Sequence, residues 1–128
     1  MSHVLVADDD PDIVALVRLR LERAGHVVSV AADGEQAWSV ILAGRPDLAV
    51  LDVTMPRLDG LELTRRLRAD ARTAQLPVLV LTAAVQAADA QRALAAGATE
   101  YVKKPFSPKA LLARVDALLA AAAQDDGT

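Results

Sequence analysis

Two spacings of hydrophobic residues alternate along the chain. Short runs of Val, Leu and Ala predict buried strands, expected at residues 3–7, 27–31, 47–52, 77–82 and 100–104. Between these runs, apolar residues recur every three or four positions, as on one face of a helix. Helices are therefore expected at residues 11–24, 34–44, 60–70, 86–96 and 107–122. Several of the strands are almost continuously apolar, which is typical of parallel strands covered by helices on both faces.

The strict alternation of strand and helix predicts an α/β fold with an open parallel sheet built from right-handed βαβ units. Turn residues agree with this prediction: Gly25, Gly44 and Gly97 lie where helices should stop, and Asp33-Gly34 and Asp59-Gly60 mark turns into helices. We expect one domain over residues 1–122. Residues 123–128 are interpreted as a polar C-terminal tail or the start of a linker.

Composition narrows the class of function. The chain has 128 residues, a net charge of −3 and no cysteine, so disulfides and thiolate metal sites are excluded. The acidic balance argues against direct nucleic-acid binding, which needs a basic face. Neither a signal peptide nor an apolar stretch of membrane-spanning length is present, so we expect a cytoplasmic protein without membrane association. The absence of a glycine-rich phosphate loop argues against nucleotide binding.

Polar residues at the carboxyl ends of the predicted strands form the candidate site, because open α/β sheets bind ligands there. Asp8 and Asp9 follow the first strand, Asp52 ends the third, Thr82 ends the fourth and Lys104 ends the fifth. Carboxylates suit a hard cation such as Mg²⁺, and a lysine suits a phosphoryl oxygen. A carboxylate can also attack phosphorus to give an acyl phosphate.

Four segments together resemble the receiver domain of two-component response regulators, from about residue 3 to residue 120: "VLVADDDPDI", "PDLAVLDVTMPRLDGLEL", "PVLVLTA" and "AGATEYVKKPFSPKALLARV". The resemblance implies a flavodoxin-like, doubly wound sheet of five strands in the order 2-1-3-4-5 with five helices. It also implies a signalling domain rather than an enzyme. Such a domain accepts a phosphoryl group from a sensor histidine kinase or a phosphotransfer protein and then switches conformation. The reaction depends on Mg²⁺, with Mn²⁺ as a substitute.

The resemblance assigns roles to individual residues. Asp52 is the expected phosphoacceptor, and the expected metal ligands are Asp8, Asp9, Asp52 and the backbone carbonyl of Thr54. The remaining roles fall on Thr82 and Lys104 (phosphoryl binding), Tyr101 (aromatic switch), Pro105 (cis peptide bond), and Thr54 and Ala84 (lifetime of the phosphoryl group). Because Ala84 is small and cannot orient water, we expect slow to moderate self-dephosphorylation.

An output partner or domain is expected to read the surface of the fourth helix, fifth strand and fifth helix. One transcription-factor subfamily dimerises through this surface, and the end of the chain is similar to it. However, Thr99 and Ala110 stand where acidic residues are common in that subfamily, whereas Glu100 and Arg114 are retained. We therefore expect a monomer or a weak dimer.

Several residues near the site have simpler interpretations. Asp10 precedes Pro11, so it is expected to cap the first helix rather than bind metal. Lys103 should point away from the site, since successive strand residues face opposite ways. Neither His3 nor His26 has an expected partner at a metal site.

Two alternatives for the whole protein stay open at this point. One is an aspartyl-phosphate phosphatase of the haloacid-dehalogenase type, although that family has an acid two residues after the nucleophile, where this chain has Thr54. The other is a receiver-like scaffold that binds partners without phosphorylation. Turnover of a small phosphate ester would favour the first, and partner binding that ignores phosphorylation would favour the second.

Overall fold

The computed structural model describes residues 2–83 and 87–126. Its strands are β1 (His3–Ala7), β2 (Val27–Ala31), β3 (Leu48–Asp52), β4 (Val78–Thr82) and β5 (Glu100–Lys103). Its helices are α1 (Pro11–Arg23), α2 (Gly34–Gly44), α3 (Gly60–Ala69), α4 (Ala87–Ala95) and α5 (Pro108–Asp126). Each predicted strand and helix is present. Most of the boundaries coincide with the prediction, and the others differ by one residue except at the end of α5.

The five strands form one parallel sheet in the order β2-β1-β3-β4-β5, which confirms the predicted fold. From β1 the chain passes to β2 at one edge of the sheet, and it then returns to β3 on the other side of β1 and continues outward to β5. The direction in which strands are added therefore reverses between β1 and β3. In the register, Ala7 lies opposite Leu51, and Asp52 lies opposite Leu81. The residues that follow these positions therefore meet at one edge of the sheet.

Alternating side chains of the same strands fill two cores, one on each face of the sheet. Leu5, Ala49 and Leu51 pack with residues of α2, α3 and α4 on one face. Val4 and Val50 pack with residues of α1 and α5 on the other. The central strands β1, β3 and β4 are buried on both sides, which explains why their sequences are almost continuously apolar.

The end of α2 matches the prediction: Gly44 is the last helical residue, and Arg45 after it takes the left-handed conformation, with φ of 47°. At the C-terminus, α5 continues to Asp126, beyond the predicted end at residue 122. The reason is that "AAAAQDD" contains strong helix formers and no breaker before Gly127. The domain boundary at residue 122 stays a prediction.

Within residues 2–83 and 87–126, none of the helices has the length and apolar character that crossing a membrane requires.

The capping role predicted for Asp10 is confirmed. Its side chain accepts hydrogen bonds from the backbone nitrogens of Asp12 (2.9 Å) and Ile13 (3.5 Å), and Pro11 is the first helical residue. Asp10→Ala should therefore lower the free energy of unfolding by about 1 kcal/mol, the usual loss for a helix cap. Urea denaturation followed by circular dichroism measures this change. Unchanged stability combined with a loss of Mg²⁺ binding would instead make Asp10 a ligand.

Candidate functional site

Three carboxylates converge where the carboxyl ends of β1 and β3 meet. Each of Asp8, Asp9 and Asp52 offers an oxygen, and these three oxygens all lie within 4.8 Å of one another. Asp8 and Asp52 are buried, with 1% and 5% of their surface exposed, whereas Asp9 is exposed. An all-oxygen, acidic set open on one side fits a hard cation such as Mg²⁺, which keeps several waters and takes few protein ligands.

The positions of these acids follow from the sheet. Asp52 is the last residue of β3, and Asp8 directly follows β1, its parallel neighbour. The backbone nitrogen of Asp8 donates to the carbonyl of Ala31 at the end of β2, which extends the β1–β2 pairing by one residue (3.2 Å). The side chain of Asp8 accepts a further hydrogen bond from the backbone nitrogen of Asp10 (2.9 Å).

Lys104 joins the two buried carboxylates. Its Nζ lies 3.1 Å from Oδ2 of Asp8 and 3.1 Å from Oδ1 of Asp52. Burial alone would lower the pKa of Lys104, but the hydrogen bonds and charges of Asp8 and Asp52 outweigh it and raise this pKa above its usual value. Lys104 is therefore a fixed cation in the site.

One ammonium does not balance the acids around it. Burial is the main cause that raises the pKa of Asp52 to about 6, and the negative charge of Asp8 adds to it, while Lys104 lowers it in part. A carboxylate that holds its proton more tightly than usual reflects a site that is too negative for its burial. The site therefore favours an additional cation.

The residues predicted from the resemblance to bind the phosphoryl group or to act as the switch lie at the ends of β4 and β5 or on β5 itself. Thr82 is buried at the end of β4, and its backbone carbonyl accepts from the nitrogen of Lys104 (2.8 Å). The Lys104–Pro105 peptide bond is cis. Tyr101 is half-buried on β5 and packs against the core on the α2–α3–α4 face. Thr54 is exposed on the loop that follows Asp52, and Ala84 lies outside the described residues.

Three residues set aside in the sequence analysis lie outside the carboxylate cluster. Lys103 is exposed, as predicted. The His3 ring is hydrogen-bonded to Ser29 (2.6 Å), and the His26 ring to Asp116 (2.8 Å).

The bond between Lys104 and Asp8 was not predicted from the sequence, where Lys104 was expected only to bind a phosphoryl group. The two residues are 96 positions apart, and no local pattern connects them. The strand order could have revealed this contact, because β1 and β5 flank the same pair of central strands.

Comparison with known proteins agrees with this geometry. The model of the response regulator receiver domain family matches residues 4–116. The chain is 44% identical over 119 residues to the DNA-binding dual master transcriptional regulator RpaA of Synechocystis sp., covering 93% of this chain and 49% of that protein. It is also 44% identical over 118 residues to the alkaline phosphatase synthesis transcriptional regulatory protein PhoP of Bacillus subtilis, covering 92% and 48%. The chain thus spans about half the length of these relatives.

Solved structures give the same result. The receiver domain of Francisella response regulator 1452 superposes with a TM-score of 0.89 at 35% identity, covering 94% of this chain and 98% of that one. A CheY-like response regulator receiver domain protein from Methanospirillum hungatei superposes with a TM-score of 0.90 at 25% identity, covering 98% of both chains.

The raised pKa of Asp52 predicts a pH dependence of stability without metal. This pKa is about 6 in the folded protein and 3.8 ordinarily, so between these values the folded state binds more protons than the unfolded chain. The free energy of unfolding attributable to Asp52 therefore falls as pH rises from about 4 to about 6. Asp52→Asn lacks this dependence, so its Tm advantage over the native protein should grow across that range. Thermal unfolding in EDTA measures it, and a pH-independent Tm difference would contradict it.

Proposed function

This chain belongs to the response regulator receiver domain family, a family of phosphoacceptor signalling domains, and we propose that Asp52 is its phosphoacceptor. The observation that carries the assignment is the position of Asp52: buried at the end of β3, within 4.8 Å of two further acids and 3.1 Å from Lys104 Nζ. Among the three clustered acids, only Asp52 ends a central strand that has a neighbour on each side.

The transfer uses few groups. A carboxylate oxygen of Asp52 attacks the phosphorus of the donor, an O–P bond forms, and the bond from phosphorus to the donor's histidine nitrogen breaks. Lys104 already lies beside the attacking carboxylate and provides positive charge for a phosphoryl oxygen. Catalysis in such transfers is mostly positioning and charge neutralisation, so a rigid strand end with a fixed cation suits it.

The metal ligands we assign are Asp8, Asp9, Asp52 and the backbone carbonyl of Thr54. When bound, Mg²⁺ supplies the positive charge that the phosphoryl oxygens and the clustered carboxylates require. Asp8 is tied to the backbone of Asp10 and to Lys104, so its carboxylate is held in one orientation. Mn²⁺ is the substitute we expect, because it accepts the same oxygen ligands.

The switch that we propose starts at Thr82. A phosphoryl group on Asp52 adds negative charge and acceptor oxygens, which draw the Thr82 hydroxyl and Lys104 toward it. Tyr101 lies on β5, whose backbone is bonded to β4 beside Thr82, so it follows the movement. The surface of α4, β5 and α5 then changes, and a partner or an output domain reads the change.

The donor that we propose is a sensor histidine kinase or a phosphotransfer protein in the cytoplasm. RpaA and PhoP are named as transcriptional regulators and are about twice as long as the matched region. By analogy, the output of this domain is a DNA-binding region or a separate protein, while residues 1–122 themselves contact no nucleic acid. The domain modifies only itself and does not turn over small phosphate esters.

Phosphorylation can be tested with a small phosphodonor. Acetyl phosphate with Mg²⁺ should add the mass of one phosphoryl group to the native protein, and none in EDTA or in Asp52→Asn, as measured by intact mass spectrometry. Asp10→Asn is the matched control, because asparagine also caps helices and the three clustered acids remain. An unlabelled native protein, or full labelling of Asp52→Asn, would refute the assignment.

The oligomeric state can be tested by light scattering before and after phosphorylation. Arg114 forms an ion pair with Glu100 of the same chain, so this pair is satisfied without a partner. Ala110 is exposed beside it on α5 and lacks the acid of the dimerising subfamily. The native protein should remain a monomer or a weak dimer, and Ala110→Glu should raise the dimer fraction. A stable native dimer at micromolar concentration would contradict this expectation.

A further inference from the structure

The β3–α3 loop, residues 53–59, connects Asp52 to α3 and carries Thr54. We propose that Gly34, the first residue of α2, is a positioning residue that holds this loop in place and thereby sets the affinity of the site for Mg²⁺. The inference rests on the proposed function, since it assumes a metal ligand on the loop. Gly34 itself touches neither the metal nor the phosphoryl group.

The contact between Gly34 and the loop leaves no space for a side chain. A β-carbon on Gly34 would lie 1.8 Å from the carbonyl oxygen of Leu58 and 2.6 Å from its carbonyl carbon. Real β-carbons do not come closer than 3.0 Å to such atoms. The obstacle is backbone and cannot rotate away as the end of a side chain does, so any side chain at this position must displace the loop.

Position 34 requires glycine because there is no room for a β-carbon, and not because the backbone there has a positive φ. Gly34 lies within the helical residues of α2, and its φ is outside the positive range that favours glycine. At such a position glycine is a poorer helix former than alanine. The gain that offsets this cost is the close approach of the loop.

The loop needs support because its conformation is strained. The Leu58 nitrogen donates to the carbonyl of Pro56, two residues back (2.8 Å), and Arg57 between them has φ of 72°. This combination is the classic type of γ-turn, which is rare and strained. Strained turns persist only where their surroundings hold them. Asp33, beside Gly34, lies 3.8 Å from the Arg57 guanidinium, but the Arg57 side chain is 74% exposed, so this ion pair contributes little to the position of the loop.

The other end of the loop is fixed independently. The Val53 nitrogen donates to Leu81 of β4 (2.9 Å), and the Gly60 nitrogen donates to the carbonyl of Val53 (2.9 Å). Only the middle of the loop therefore depends on α2. If Leu58 is pushed outward, the displacement must be taken up between the fixed residues Val53 and Gly60, in the segment that includes Thr54. Asp8 and Asp9 follow β1 and are not part of this loop. The site then loses the proposed ligand on Thr54, a neutral backbone carbonyl, and keeps the charges of all three carboxylates.

The test compares two glycines of the same helix. A β-carbon at Gly44, at the other end of α2, would meet only the ring of His3, at 3.2 Å. We expect Gly34→Ala to raise the Kd for Mg²⁺ about tenfold, the usual effect of disturbing a residue that orients a ligand. Gly44→Ala should leave this Kd at the native value, because its β-carbon would approach no atom of the β3–α3 loop. Isothermal titration calorimetry gives both values.

Two further variants keep the test decisive if Gly34→Ala does not fold. Arg57→Gly accepts φ of 72° without strain and should bind Mg²⁺ as the native protein does. In Gly34→Ala combined with Arg57→Gly, the loop can yield to the new β-carbon, so the chain should fold and still bind Mg²⁺ weakly. A native Kd in Gly34→Ala or in the double variant would overturn the inference, as would failure of both to fold. Absence of Mg²⁺ binding by the native protein would refute the proposed function instead.

Discussion

The burial of two carboxylates beside one ammonium is the constraint on which the rest of the site depends. Asp8 and Asp52 are almost completely removed from solvent, and Lys104 bonds to both of them at 3.1 Å. Two carboxylates about 4 Å apart repel by about 4 kcal/mol at an effective dielectric constant near 20. Burial, together with this repulsion, outweighs the effect of Lys104, since the pKa of Asp52 remains raised to about 6. The fold thus maintains an unsatisfied negative charge at one edge of the sheet.

The parallel sheet makes this arrangement possible. Its central strands are covered on both faces, and the register places the ends of β1 and β3 side by side, so their next polar residues are forced together. The same geometry connects the site to the surface of α4, β5 and α5. The backbone nitrogen of Lys104 donates to the carbonyl of Thr82. Lys104, which contacts both buried carboxylates, is therefore also bonded to Thr82, the residue proposed to move. In the proposed switch, a charge added at Asp52 competes with Asp8 for Lys104 and thereby acts on β4 and β5 together.

The sequence predicted the features that depend on local chemistry. Hydrophobic spacing located the strands and helices, and the Asp10-Pro11 pair located the first cap. Two features depend on contacts between distant segments and were not predicted: the Lys104–Asp8 bond and the contact of Gly34 with Leu58. The left-handed Arg45 was not predicted either, because glycine is the usual residue in that conformation at a helix end. The Asp33-Gly34 pair was interpreted only as a turn into a helix. That interpretation is correct for Asp33, which caps α2, but the reason for Gly34 is visible only when the β3–α3 loop is placed against it.

The acidic run after β1 shows how the site and the fold share residues. Asp8 and Asp9 face the carboxylate of Asp52, while the side chain of Asp10 caps α1. The carboxylate cluster and the helix cap are separate features, but they are connected, because the backbone nitrogen of Asp10 also donates to Oδ1 of Asp8. The residue that begins the helix thereby orients one of the acids, whose other oxygen contacts Lys104. Because both oxygens of Asp8 are engaged, a change in charge at the site cannot rotate this carboxylate without disturbing either the start of α1 or Lys104.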